Sequence, residues 1–184
     1  MSIQRLVGVE DGSFDAFLPG QTTLLCAVCM AGDRVEWVRL GRVKVDGREV
    51  TSVLLSMLRG ERFDALILGG ISFAGFDVVD PQMLHRELGA PVVVYSPELP
   101  NSSSMLAALK VNFPDWEERW VPINKIGDVY STVTKAGEPP VFFEVTGCTR
   151  EEAEGILLTS VSLTRTPEPV RVAGIIARGL SRSA

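Results

Sequence analysis

The chain has 184 residues, a hydrophobic fraction of 46% and a formal net charge of −5. A chain of this length removes roughly 70% of its unfolded surface from water, so we expect one domain, residues 1–184, with a well-buried core. The composition excludes a largely disordered chain. The negative charge argues against a protein that binds nucleic acid mainly by bulk electrostatics.

The sequence also limits where the protein works. The N-terminus lacks the basic start and apolar run of a secretory signal, and no stretch approaches about 18 apolar residues, so we expect no membrane partner. The three cysteines, Cys26, Cys29 and Cys148, are too few for a disulfide framework and indicate free thiols in a reducing compartment. We therefore predict a cytoplasmic protein.

The N-terminal third predicts an antiparallel meander of three strands. A strand over residues 5–9 ends at the turn-forming cluster Glu10-Asp11-Gly12, and residues 22–30 are nearly all apolar, as in a strand buried on both faces. A hairpin signal at residues 31–33 leads into a third strand over residues 34–44, where apolar and polar residues partly alternate.

The rest of the chain alternates between helical patterns and short buried strands, which predicts right-handed parallel crossovers. Strands are predicted over residues 65–68, 91–95 and 141–145. Helices are predicted from residue 50 to Gly60, over 81–88 behind an Asp80 cap, from 101 or 102 to about 113, over 151–160 behind a Thr149 cap, and over 170–180. Residues 69–76 form a glycine-containing loop.

This order of elements favours an α/β fold of the RNase H-like class, with a mixed sheet, an antiparallel N-terminal meander and flanking helices. A flavodoxin-like fold is the alternative. It would need a helix between the first strands, and residues 14–44 offer no helical stripe.

Three acidic patches follow predicted strands or the glycine loop. They are Glu10-Asp11, Asp46 with Glu49, and Asp77 with Asp80. Carboxylates at neighbouring strand ends can hold Mg²⁺ or Mn²⁺, and a pair of such ions can clamp the attacking and leaving oxygens of a phosphodiester. The alternative is that these acids are ordinary turn residues.

Other patterns carry weaker signals. The glycine loop lacks the Gly-Lys-Ser/Thr ending of a phosphate-binding P-loop. The single histidine, His85, lies between charged neighbours on a predicted helix, which favours a surface or partly buried position. Five basic residues fall in one window, and either a solvated strand face or a local basic surface explains them. They are Arg34, Arg39, Arg42, Lys44 and Arg48.

Four strings in the sequence resemble a known family. They are LVGVEDGSF at 6–14, VDGREVT at 45–51, LGGISFAGFDVVD at 68–80 and PEPVRVA at 167–173. They are similar, in the same order and over nearly the whole chain, to the small endonuclease V-like family that includes endonuclease dU. The resemblance implies an RNase H-like fold and cleavage of nucleic acid, dependent on Mg²⁺ or Mn²⁺, near deoxyuridine or inosine.

The resemblance also suggests roles for individual residues. It implies Glu10, Asp11 and Asp46 as catalytic residues and Glu10 and Asp46 as metal ligands, and the acidic patch at Asp77 adds that residue as a third predicted ligand. The predicted substrate contacts lie in the glycine loop and the last helix. They are Gly70, Ser72, Phe73, Gly75 and Arg171. DNA or RNA is the implied partner, and a homodimer is one assembly that the sequence allows.

Three positions depart from the family pattern. The first acid of the Asp-Asp-Gly motif is Glu10 here, and the Asp of Leu-Asp-Gly is replaced by Gly69. In the last helix the family's Ala-His corresponds to Ala173-Gly174. Glycine supplies no ligand, so we predict impaired or lost catalysis. The alternatives are a one-metal nuclease that still uses Glu10, Asp11 and Asp46, and a non-catalytic module that binds nucleic acid or protein.

Overall fold

The computed structural model describes residues 4–15 and 20–181. The strands are β1 (Arg5–Asp11), β2 (Thr22–Ala31), β3 (Arg34–Lys44), β4 (Ala65–Leu68), β5 (Ser72–Phe73), β6 (Asp77–Val78), β7 (Val92–Ser96), β8 (Tyr130–Thr132) and β9 (Val141–Thr146). The helices are α1 (Val50–Leu58), α2 (Pro81–Leu88), α3 (Ser102–Asn112), α4 (Trp116–Lys125), α5 (Arg150–Ser160) and α6 (Glu168–Ser181). None of these helices is long and apolar enough to cross a membrane.

Seven strands form one mixed sheet in the order β3-β2-β1-β4-β7-β9-β8. β1, β2 and β3 pair antiparallel, which confirms the predicted meander. β4 pairs parallel with both β1 and β7, as the crossover prediction requires. The carboxyl ends of β1, β4 and β7 therefore lie at the same edge of the sheet.

Each face of the sheet is covered by helices. Val7 and Val9 of β1 pack in a cluster with residues of α1 and α2, whereas Leu6 packs in a second cluster with residues of α5 and α6. This separation follows from the alternation of side chains along a strand. Successive residues at the end of β1 consequently face different helices.

The predicted helix caps are confirmed. Asp80 accepts a hydrogen bond from the Met83 N–H at 2.9 Å, and Gly89 ends α2 with φ of 72°. Thr149 and Glu152 form a capping box at the start of α5. These local signals are reliable because side-chain oxygens satisfy N–H groups that lack a partner within the helix.

The structure also contains elements that the sequence patterns did not predict. The glycine loop over residues 69–76 includes β5, which pairs antiparallel with β6 to form a small hairpin. Strands of two residues are too short for alternation to be visible. α4 contains Pro122 and buries only Arg119, so it lacks an apolar stripe.

Candidate functional site

Two groups of side chains lie at the edge of the sheet where β1 and β4 end, one on each face. Glu10 pairs in register with Cys26, which packs against α6, and Asp11 pairs with Leu25, which packs in the cluster on the opposite face. We call the side with Glu10 and α6 the α6 face. We call the side with Asp11, β5 and β6 the hairpin face.

On the α6 face, Glu10 occupies the space beside Gly69. A Cβ atom at Gly69 would lie 2.2 Å from Glu10 Oε1 and 2.7 Å from Glu10 Cδ. An aspartate at position 69 could not coexist with Glu10 in this conformation. The longer acid at position 10 and the glycine at position 69 are therefore sterically complementary, and together they supply one carboxylate where the family resemblance implies two.

Gly174 is covered in a similar way by Arg178, one helical turn further along α6. A Cβ atom at Gly174 would lie 2.6 Å and 2.9 Å from the two terminal guanidinium nitrogens. The positive charge of Arg178 acts on both Glu10 and Asp11. A guanidinium thus lies over the position where the family pattern has a histidine.

The environment of Glu10 favours its protonated form. Burial raises the pKa of Glu10 to about 7, and the charge of Asp11 acts in the same direction. The Asp11 N–H and the Arg178 charge act in the opposite direction and do not cancel these effects. Burial raises the pKa of the nearby Tyr95, and the charge of Glu10 acts in the same direction. The Tyr95 hydroxyl donates to Thr166 Oγ1 at 3.2 Å.

On the hairpin face, two aspartates hold the turn between β5 and β6. Asp11 Oδ2 accepts a hydrogen bond from the Ala74 N–H, and Asp46 Oδ1 accepts one from the Phe76 N–H at 2.9 Å. The Asp46 N–H in turn donates to the Ala74 carbonyl at 2.7 Å. Asp46 and Ala74 both have positive φ, 57° and 47°, so this contact fixes an uncommon backbone conformation.

Asp77 belongs to β6 of the same hairpin, and its buried side chain holds the start of α1. Its Oδ2 atom accepts hydrogen bonds from the Glu49 N–H at 2.8 Å and the Val50 N–H at 3.1 Å. Burial nevertheless raises the pKa of Asp77 above its usual value. Its other oxygen, Oδ1, is the only buried side-chain N or O atom without a hydrogen-bond partner in the part of the chain that the structure describes.

Arg119 of α4 connects these aspartate-bearing segments. Only 8% of Arg119 is exposed. Its guanidinium donates to the carbonyl oxygens of Asp46, Gly47 and Phe76 at 3.0, 2.9 and 2.8 Å, and to Asp115 Oδ1 at 3.0 Å. One buried cation therefore ties α4 to the Asp46 turn and to the hairpin.

The sequence and fold comparisons agree on the family. The family model described as endonuclease dU matches residues 2–181. The chain belongs to the endonuclease dU family. A UPF0215 protein from Methanosarcina mazei is 32% identical over 181 residues, covering 96% of this chain and 90% of the relative.

Solved structures share the fold. A protein of unknown function from Archaeoglobus fulgidus superposes with a TM-score of 0.85 at 27% identity, covering 96% of this chain and 98% of that one. Endonuclease V of Ciona intestinalis, in complex with DNA containing an inosine, superposes with a TM-score of 0.61 at 14% identity, covering 98% and 86%. The predicted RNase H-like fold is thereby confirmed.

The metal ligands predicted for this member of the endonuclease dU family lie on two faces of the sheet edge. Glu10 lies on the α6 face, whereas Asp46 and Asp77 use oxygens to bind backbone N–H groups on the hairpin face. Within residues 4–15 and 20–181, no group of three or more His, Cys, Asp or Glu side chains could hold a metal ion. A role for Glu10, Asp46 and Asp77 in binding Mg²⁺ or Mn²⁺ stays a prediction.

The predicted substrate contacts fall in two places. Gly70, Ser72, Phe73 and Gly75 belong to the hairpin and the segment before it; Phe73 is 2% exposed, and Gly75 has φ of 85° with Asp46 Oδ1 directly beside it. Arg171 donates two hydrogen bonds to Glu168 Oε2, at 3.0 and 2.7 Å. Its ion pair anchors the start of α6, and a substrate role for all five residues stays a prediction.

The sequence interpretation missed two cations at this site. Arg178 lies four residues after Gly174, and residues at this spacing are neighbours on a helix surface, so that spacing was an available signal. The i, i+4 spacing of Arg119 from Asp115 was a similar signal, but nothing local indicated its bonds to backbone carbonyls more than 40 residues away along the chain.

Proposed function

We propose that this member of the endonuclease dU family binds nucleic acid without cleaving it by a metal-dependent reaction. One observation carries the proposal. Positions 10, 69 and 174 together supply a single carboxylate, which belongs to Glu10, and this carboxylate lies near the Arg178 guanidinium.

The electrostatics of the α6 face support the loss of the metal. A divalent cation is held by several oxygen ligands, and here Gly69 and Gly174 offer none. The positive charge of Arg178 would repel a second cation at the same place, and the raised pKa of Glu10 favours a neutral carboxyl. All three effects weaken the same site.

The hairpin face supports a retained binding role. Asp11, Asp46 and Arg119 hold the turn between β5 and β6 in a defined conformation, with Phe76 and Gly75 only partly buried. An ordered surface loop is the usual position of binding residues. Endonuclease V of Ciona intestinalis, which shares the fold, has been solved with DNA, so we take nucleic acid as the partner.

The decisive experiment compares binding with cleavage. Oligonucleotides that carry one deoxyuridine or one deoxyinosine are incubated with the protein and Mn²⁺, and retention and nicking are followed on native and denaturing gels. We expect retention without nicking. Nicking that requires Mn²⁺ and disappears in Glu10→Gln would overturn the proposal, and so would absence of binding at low salt.

A variant with new side chains at positions 10, 69 and 174 tests why the protein is expected to bind no metal. Gly69→Asp and Gly174→His introduce the residues that the family resemblance implies, and Glu10→Asp accompanies them so that the new Asp does not compete with the Glu10 carboxylate for the same space. We expect the triple variant to bind Mn²⁺ by calorimetry where the wild type does not, and to gain nicking. Gly155→Asp, which adds an acid in open space on α5, serves as the matched control and should bind no Mn²⁺.

A further inference from the structure

An aromatic cleft lies beside the tip of the β5–β6 hairpin. It has a volume of about 380 Å³, within the range of about 300 to 1,000 Å³ that is usual for small-molecule sites. Three phenylalanines dominate its walls, together with a polar side chain, an aspartate and a glycine. The lining residues are Phe14, Asp46, Gly75, Phe76, Asn112 and Phe113.

Two rings of this cleft, Phe76 and Phe113, are held in place by each other and by Arg119. The centroids of Phe76 and Phe113 are 5.4 Å apart, with the rings inclined by 54°. The Arg119 guanidinium lies 4.3 Å from the Phe113 ring centre and also donates to the Phe76 carbonyl. Because Arg119 is buried and donates four hydrogen bonds, these two rings lose little further freedom when a ligand binds.

Polar groups of the aromatic cleft remain available to a ligand. The Asn112 amide nitrogen donates to the Ala108 carbonyl at 2.8 Å, and Asn112 Oδ1 has no partner among the residues that the structure describes. Asn112 can therefore offer one donor and one acceptor. Flat rings that carry donors and acceptors on their edges match such a surface, and nucleobases have this character.

A second cleft shares the lining residue Phe14 with the aromatic cleft. It also has a volume of about 380 Å³ and is lined by polar residues that include Ser13, Thr22 and Arg42. Arg42 is exposed and has no ion pair within the described ranges, whereas Arg39 and Arg48 of the same basic window are paired with Glu61 and Glu118. An exposed, uncompensated guanidinium beside hydroxyl groups is suited to a phosphate.

We propose that these two clefts together bind one nucleotide of a single-stranded nucleic acid. The base stacks in the aromatic cleft against Phe14 and Phe113, and the adjoining phosphate lies against Arg42. Asp46 fixes this orientation, because its carboxylate lines the aromatic cleft and would repel a phosphate there. The inference rests on the proposed nucleic-acid binding, but it uses neither Glu10 nor Arg178.

The test measures binding of a short, fluorescein-labelled single-stranded DNA by anisotropy, without divalent metal and at several salt concentrations. We expect Phe14→Ala to weaken binding about tenfold, since stacking of one base contributes an effect of this order. Arg42→Gln should lower the slope of log affinity against log salt by about 0.7, as for loss of one contact to a single strand. Leu163→Ala and Arg86→Gln, exposed and on other elements, are the matched controls and should bind like the wild type.

Changing the oligonucleotide shows whether Phe14→Ala loses a contact with a base or damages the fold of the protein. Removing one base at a time from the oligonucleotide should reveal one position whose loss weakens wild-type binding about tenfold and leaves the Phe14→Ala affinity unchanged. If the wild type binds but no such position exists, and Arg42→Gln keeps the full salt slope, this nucleotide site is wrong while the proposed function stands. If the wild type binds no oligonucleotide at low salt, both fail.

Discussion

The α6 face and the hairpin face use acidic residues in opposite ways. On the hairpin face, three aspartates each accept at least one hydrogen bond from a backbone N–H and so hold the backbone in place. They are Asp11, Asp46 and Asp77. On the α6 face, Glu10 accepts a hydrogen bond only from its own neighbour, the Asp11 N–H, within the described residues, and it lies beside Gly69 and in the field of Arg178. The number of acids near a strand end therefore says little about metal binding, because what matters is whether their oxygens are free to converge.

The first prediction concerns the buried cation that supports the hairpin face, Arg119. Arg119→Met keeps much of the side-chain volume but leaves the carbonyls of Asp46, Gly47 and Phe76 without their donor. We expect a loss of about 4 kcal/mol in the free energy of unfolding, since breaking a buried charge network is among the largest single-residue effects. Urea denaturation of the variant and the wild type measures this loss.

Arg48→Met provides the matched control for Arg119. Arg48 is half exposed and pairs with Asp115 and Glu118 at the surface, where an ion pair contributes at most about 1 kcal/mol. Equal losses in the two variants would mean that Arg119 has no special role in holding the hairpin.

The second prediction concerns the pH dependence that Glu10 gives to the α6 face. The pKa of Glu10 is about 7 in the folded protein and 4.5 in an unfolded chain, so the folded state binds this proton more tightly. The resulting stabilisation is complete below pH 4.5 and is lost as the pH rises through 7. At pH 8, Glu10→Gln should therefore be more stable than the wild type by about 2 to 3 kcal/mol.

Thermal or urea unfolding between pH 5 and 8 measures the effect of Glu10→Gln, with the exposed Glu151→Gln as the control. The wild type should lose stability across this range, and Glu10→Gln should lose less. Parallel curves for the two proteins would place the pKa of Glu10 near its ordinary value and remove the contrast between the faces.

The sequence predicted the fold better than the site, and the reasons are physical. Long elements such as β2 and β3 show clear apolar patterns, and caps such as Asp80 give local signals. The opposite orientation of Glu10 and Asp11 also follows from the period of a strand. Grouping Glu10 with Asp46 and Asp77 as one ligand set did not take that period into account, and the set stays a prediction.

Other features of the site depend on contacts that no local pattern contains. The overlap of Glu10 with the space beside Gly69 requires the parallel pairing of β1 and β4 in register. The bonds from Arg119 require α4 to pack under the hairpin, and α4 itself lacks an apolar stripe. Family resemblance indicated which positions had changed, and only the structure gave the neighbours that fill them.

The third prediction tests whether Asp46 has a structural role. Asp46→Ala removes the acceptor for the Phe76 N–H and places alanine at a φ of 57°, which L-residues other than Gly, Asn and Asp adopt at a cost of about 1 to 2 kcal/mol. We expect a loss of about 2 kcal/mol. Asp46→Asn keeps an acceptor oxygen and tolerates this φ, so urea unfolding should find it within about 0.5 kcal/mol of the wild type.

The smallest expected effect separates the two faces most directly. Arg178 is exposed, so Arg178→Gln should leave the stability nearly unchanged. Its positive charge lowers the pKa values of Glu10 and Asp11, and its loss should therefore move both upward, while the pKa of Asp77, which Arg119 lowers instead, should stay constant. Carboxyl ¹³C chemical shifts followed by NMR during a pH titration resolve the three groups. A parallel shift of Asp77 would mean that the field of Arg178 extends beyond Asp11 across the hairpin face and that the two groups of acids form one electrostatic unit.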